Sequence, residues 1–153
     1  MRKLNLPAYD FRYRTEGEIR FVLDVYRNRF VKLTPEEEVR QRFARYLVEE
    51  KGFPASLIMT EYSLKLNKLS RRCDILVHKP AGHPALLVEC KAPEVKISQA
   101  SFDQVARYNL AFKVSYLIVT NGLKHYCCLI DFETGKITFL KEIPAYESLI
   151  GSL

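Results

Sequence analysis

A chain of 153 residues, 48% hydrophobic and 27% charged, has the composition of an ordinary globular protein and is long enough to close one core. No apolar run approaches the roughly 20 residues of a membrane span, and the opening Met-Arg-Lys-Leu-Asn-Leu-Pro lacks a secretory hydrophobic region, so a cytoplasmic protein is expected. The formal net charge of +6 permits a nucleic-acid partner without requiring one.

Near the start, Phe11–Arg14 and Ile19–Val22 are short alternating runs separated by Glu16-Gly17, which predicts a small hairpin over about 11–22. A short helix is expected from Asp24 to Phe30. Thr34-Pro35-Glu36-Glu37 then announces a longer helix, with Thr34 as N-cap, proline in the first turn and acids beside the positive end of the helix dipole. Glu37 stands where a capping box would place it. Val39, Phe43, Tyr46 and Leu47 recur at the spacing of a half-buried helix, which stops at Gly52. Glu36 projects near the centre of that stripe and Glu37 to one side.

Glu61–Leu66 alternates as a strand, and Asn67–Ser70 is its turn. Ile75–Val77 and Ala85–Val88 flank a Pro/Gly turn and predict a buried hairpin. Strand alternation points Glu89 and Lys91 to one side and Cys90 to the other. Asp74, Glu89 and Lys91 thus gather at the end of a buried hairpin, where charges are costly without a partner. Such a group is either an ion-pair cluster or a seat for a hard divalent cation. Four cysteines, Cys73, Cys90, Cys127 and Cys128, lack C-x-x-C spacing and are expected to be buried thiols.

A second helix is predicted from about Ser98 to Phe112, with Phe102, Val105, Ala106 and Phe112 inward and Gln104 one turn from Tyr108. Val114–Thr120 is a β-branched run suited to a central strand. Asn121-Gly122 and Thr134-Gly135 are turns bounding strands at Leu123–Ile130 and Ile137–Leu140. Pro144 opens a short segment with helical character. A helix between Leu87 and Val114 predicts a mixed sheet with a parallel pair, hence an α/β fold in one domain spanning 1–153.

Asp74 followed by Glu89-x-Lys91 resembles the PD-(D/E)XK nuclease signature, and Gln104-x-x-x-Tyr108 resembles the motif of its exonuclease-like branch. Thr34-Pro-Glu-Glu-x-Val-Arg-Gln41, Arg72-x-Asp74-Ile-Leu-Val, Glu89-Cys-Lys-Ala-Pro93, Gln104–Asn109 and Thr120-Asn-Gly122 resemble more closely the N-terminal nuclease domain of type I restriction enzyme R subunits, in a small stand-alone form. The resemblance covers about residues 24–131. Cys73 stands where the signature has proline.

The resemblance implies a restriction-endonuclease-like core, a mixed central sheet flanked by helices, and Mg²⁺- or Mn²⁺-dependent hydrolysis of DNA. It implies Asp74, Glu89 and the Cys90 backbone carbonyl as metal ligands and Lys91 as the residue that orients or deprotonates water. Glu37, by preference over Glu36, would hold a water or a ligand, and Gln104 would position Lys91 or a phosphate. Tyr108, Arg107 and Arg72 would contact substrate, with Arg71, Lys96 and Lys113 as further phosphate contacts. Other subunits of a restriction, defence or repair assembly are expected partners. The alternative is a catalytically inactive nucleic-acid-binding or assembly module that retains the fold.

Overall fold

The computed structural model describes residues 3–66 and 69–151, with backbone alone for 62–66, 69–73 and 107–112. Tyr13–Glu16 (β1), Ile19–Asp24 (β2) and Arg29–Lys32 (β3) form an antiparallel three-stranded sheet, so the N-terminal hairpin carries a third strand. The expected helix over Asp24–Phe30 is not formed. Asp24 Oδ1 accepts the backbone N–H groups of Tyr26 (2.7 Å) and Arg27 (2.9 Å), which turns the chain instead of coiling it. Asn28, at φ 54°, then redirects it into β3. Asp24 is fully buried, and its Oδ2 accepts from Arg27 Nε (2.6 Å) and Thr60 Oγ1 (2.8 Å), pinning this sheet to the body of the protein.

Helix α1 runs Pro35–Glu49, and Thr34 Oγ1 accepts the Glu37 N–H at 3.0 Å as its cap. The other half of the capping box is absent: the Thr34 N–H goes to the Lys32 carbonyl, and the Glu37 carboxylate is engaged elsewhere. Val39, Phe43, Ala44 and Leu47 are buried completely, each large side chain stabilising the fold by about 1.5–3 kcal/mol. Beyond the C-cap at Glu50, Gly52 takes φ 74°, which reverses the chain at little steric cost.

The main sheet contains Ile58–Leu66 (β4), Leu69–His78 (β5), Pro84–Cys90 (β6), Tyr116–Thr120 (β7), His125–Ile130 (β8) and Ile137–Leu140 (β9), side by side in chain order. β5 starts at Leu69, inside the predicted turn Asn67–Ser70, and residues 67 and 68 of that turn lie outside the described residues. β6 and β7 are parallel and the other pairs antiparallel. Helix α2, Gln99–Phe112, makes the crossover that a parallel pair demands. A last helix, α3, spans Tyr146–Gly151.

Strand alternation separates two cores. Ile75, Val77, Leu86, Val88 and Cys90 pack with α1, while Leu76, Leu87, Leu117 and Val119 pack with Phe102 and Val105 of α2. All of β7 is buried, as its unbroken apolar run predicts. Gly122 is needed twice over: its φ is 85°, and a Cβ would meet Leu4 and Val39 at 3.0 Å. Cys90, Cys127 and Cys128 are buried free thiols. No helix among the described residues is long and apolar enough to cross a membrane.

Candidate active site

The site lies where the main sheet forks. Pairing of β5 with β6 is registered from Ile75↔Val88 to the hairpin turn. Beyond Ile75, β5 stays with β4, while β6 stays with β7 as far as Cys90↔Thr120. Parting strands leave ladder groups unpaired, and the Asp74 carboxylate fills the gap: its Oδ2 accepts the Cys90 N–H at 2.7 Å. Lys91 continues along β7, its N–H bonding the Thr120 carbonyl at 2.8 Å.

Glu89 and Lys91 share a side, with Lys91 Nζ 3.3 Å from Glu89 Oε1. The Cys90 side chain is buried in the opposite core. Burial, and then the charge of Asp74, push the Glu89 carboxyl up to about 7 even though Lys91 pulls it down. The Cys90 thiol is raised well above its ordinary value, first by burial and then by Asp74, so it stays protonated.

Arg40 and Glu61 complete the group. Arg40 Nη2 donates to Asp74 Oδ1 (2.5 Å) and Glu36 Oε1 (3.0 Å) and lies 2.8 Å from Glu61 Oε1; Nη1 donates to Glu37 Oε1 at 2.6 Å. Burial works against the Arg40 charge, but Asp74 and Glu37 more than offset it, and its pKa is raised. Glu61 adopts φ 50°, a left-handed conformation that costs a non-glycine residue energy and recurs at functional sites. Sequence reading passed over Arg40, although helix spacing offered a signal: it falls on the stripe of α1, one turn from Glu36 and from Phe43, where a charge demands a partner. Nothing local marked Glu61, which meets Arg40 only once β4 is set against α1.

The two helix acids sit in different surroundings. Glu37 is buried, and its oxygens accept from Arg27 Nη2 (2.9 Å to each), Arg40 and Gln41 Nε2 (3.0 Å). Glu36 has 48% of its side chain exposed. Its pKa is raised by burial and then by Asp74, with Arg40 and Lys91 opposing. Glu36, rather than Glu37, therefore has the freer carboxylate toward the fork. Gln104 is exposed on α2, and among the described residues no hydrogen bond joins it to Asp74, Glu89 or Lys91. The side chains of Arg71, Arg72, Arg107 and Tyr108 lie outside the described residues.

Among the described residues no three His, Cys, Asp or Glu side chains form a ready-made metal cage. Asp74 and Glu89 nevertheless fit a hard cation: magnesium keeps several waters and takes one or two carboxylates plus phosphate oxygens. The crowding that raises Glu89 is what a divalent charge between the two carboxylates would relieve.

A fragment assigned to an HsdR subunit of a type I restriction enzyme from Vibrio vulnificus YJ016 has a similar fold, with a TM-score of 0.56 and 21% identity. The similarity covers 78% of this chain and 25% of that one, so the present chain matches a minor part of a much longer protein. No curated protein sequence matches the chain. The model of the family described as type I restriction enzyme R protein N terminus (HSDR_N) matches residues 35–144, which include α1, the forked hairpin and α2. By that match, over more than half its length, the chain belongs to the type I restriction enzyme R protein N-terminal family.

Proposed function

We propose that this protein is a PD-(D/E)XK-type nuclease that hydrolyses DNA phosphodiester bonds with Mg²⁺ or Mn²⁺, centred on Asp74, Glu89 and Lys91. The observation that carries the reading is the convergence of two carboxylates and an ammonium at the fork between β5 and β6. Asp74, Glu89 and the Cys90 carbonyl are the proposed cation ligands. A divalent cation there would supply positive charge to the scissile phosphate and acidity to an attacking water.

The remaining work falls to the chain's own groups. Lys91, tethered to Glu89, orients the water and faces the negative charge that develops on the phosphoryl oxygens. Glu36 holds or deprotonates that water from α1. Glu37 acts as a positioning residue by fixing Arg40, which in turn fixes Asp74. Gln104, Arg107, Tyr108 and Arg72 are proposed substrate contacts. Subunits carrying the remaining functions of a restriction or defence assembly are proposed partners.

The test is cleavage of duplex, single-stranded and branched DNA with Mg²⁺ or Mn²⁺, alongside calorimetric titration of each cation. Wild type is expected to bind cation and cut, while Asp74→Ala and Lys91→Ala stay folded and do not cut. Wild type that neither binds cation nor cuts any substrate defeats the reading. One observation favours the alternative, a catalytically inactive DNA-binding module: Arg40 already neutralises Asp74. DNA binding without cation binding would select that alternative.

A further inference from the structure

The N-terminal sheet precedes residue 35, where the family match begins, and its outer face has a charge pattern of its own. Register places Arg14, Phe21 and Lys32 in one row across the sheet. The neighbouring row on that face contains Leu23 opposite Phe30. Arg12 continues that row on the β1 side, its carbonyl accepting the Leu23 N–H at 2.9 Å. The Arg14 guanidinium lies over Phe30 (4.6 Å to the centroid) and Phe21 (5.7 Å). Three cations therefore ring an apolar patch, with one acid, Glu16, 3.2 Å from Arg14.

Stacking holds the Arg14 guanidinium flat on the rings before any ligand arrives, which reduces the ordering cost of a contact. It also covers the ring faces that bases would need for stacking. The sheet is fixed to the candidate site through Asp24, Arg27 and Glu37, an ion-paired chain ending at Arg40.

We propose that the outer face of the β1–β3 sheet, through Arg12, Arg14 and Lys32, binds the phosphate backbone of duplex DNA outside the candidate active site. Three cations with the ring faces already occupied suit sequence-independent backbone contact, and duplex DNA presents a phosphate charge every ~1.7 Å of helix axis. The proposal rests on the nuclease reading for the identity of the polyanion, but its test needs no catalysis.

The experiment is fluorescence anisotropy with a labelled duplex across a salt series in EDTA, so cutting does not enter the result. The triple variant Arg12→Gln/Arg14→Gln/Lys32→Gln is expected to weaken binding at least ~10-fold and to flatten the log–log salt slope by about 2–3, near 0.9 for each phosphate no longer neutralised. Lys124→Gln/Lys136→Gln/Lys141→Gln, which removes the same charge from exposed positions elsewhere, should change affinity less than about 3-fold. Lys32→Gln alone, with no stacking role of its own, should flatten the slope by about 0.9, which keeps the test valid if the triple variant folds poorly. Equal weakening by both triples, no weakening by the first, or absence of duplex binding overturns the proposal. So does tighter retention of single-stranded DNA, or equal displacement by polyglutamate of matched charge.

Discussion

Arg40 Nη2 lies 2.5 Å from Asp74 Oδ1, joining residues 34 positions apart and closing one side of the fork with a buried guanidinium. Asp74 spends its other oxygen on the Cys90 N–H. The carboxylate is thus aimed by two contacts, one from α1 and one from β6. Removing a partner from a buried pair strands the remaining charge. Arg40→Met should cost about 3–5 kcal/mol of stability, and Arg40→Met/Asp74→Asn should recover part of that loss. Urea midpoints of the two variants measure it; equal loss in both would show that the pairing does not dominate.

Glu36 and Glu37 should separate by phenotype. Glu37→Gln breaks contacts to two arginines and is expected to cost about 2–4 kcal/mol. Glu36→Gln, at a half-exposed side chain, should cost less than about 1 kcal/mol but lower cleavage at least ~10-fold, the scale of general acid–base contributions. Thermal melts paired with cleavage rates read both effects. Glu36→Gln with full activity would remove Glu36 from the mechanism.

Cys90→Ala should leave cleavage largely intact, because the thiol packs in the α1-side core and not in the fork. A stability loss of about 1 kcal/mol is expected. The raised thiol pKa also predicts negligible alkylation of native Cys90 by iodoacetamide at pH 8. Loss of cleavage in a folded Cys90→Ala variant would contradict the strand facing.

Asp24 anchors the N-terminal sheet, and its folded pKa is lowered: burial raises it, but hydrogen bonds from Arg27 and Thr60 outweigh that. A depressed carboxyl stabilises the fold above the unfolded value near 3.8 and loses that contribution as pH falls through the folded value. Asp24→Asn should therefore cost about 2–4 kcal/mol at pH 7, with the gap to wild type closing below about pH 4. Urea titrations at both pH values test the sign.

His125 works in the opposite chemical sense with the same pH direction. Its Nδ1 lies 2.6 Å from Thr120 Oγ1 and its Nε2 2.9 Å from the Asn5 carbonyl. Thr120 Oγ1 also accepts the Gly122 N–H. The carbonyl requires a proton on Nε2, which leaves Nδ1 to accept from Thr120 in the neutral ring. Burial lowers the pKa, against a smaller opposing effect of the Asn5 carbonyl. The unfolded chain then takes a proton near 6.5 that the folded protein refuses, so stability falls as pH drops below about 6.5. His125→Gln should flatten that slope, and an NMR titration of the ring should give a midpoint below 6.5; a midpoint above it would reverse the sign.

Much of this fold is local chemistry written along the chain. Thr34-Pro35 starts α1 because a hydroxyl cap and a residue with no N–H suit a helix beginning. The β-branched run of β7 predicts a strand buried on both faces, and a helix between two such runs predicts the parallel pair. Period-two alternation put Glu89 and Lys91 together and turned Cys90 away. Those features depend on neighbours a few residues apart, which the sequence by itself determines.

Tertiary structure decided what spans distance. Asp24 turns the chain with its own side chain and then docks on Thr60, so a run that reads as a helix becomes a turn and a strand. Arg40 meets all four of its carboxylates, Glu36, Glu37, Glu61 and Asp74, only once α1, β4 and β5 are assembled. Arg27 and Gln41, which also bond Glu37, commit that acid to structure, while Glu36 stays half-exposed. A long guanidinium reaches whatever charge the fold brings near it, and burial makes the pairing obligatory; sequence spacing alone carries neither the reach nor the burial.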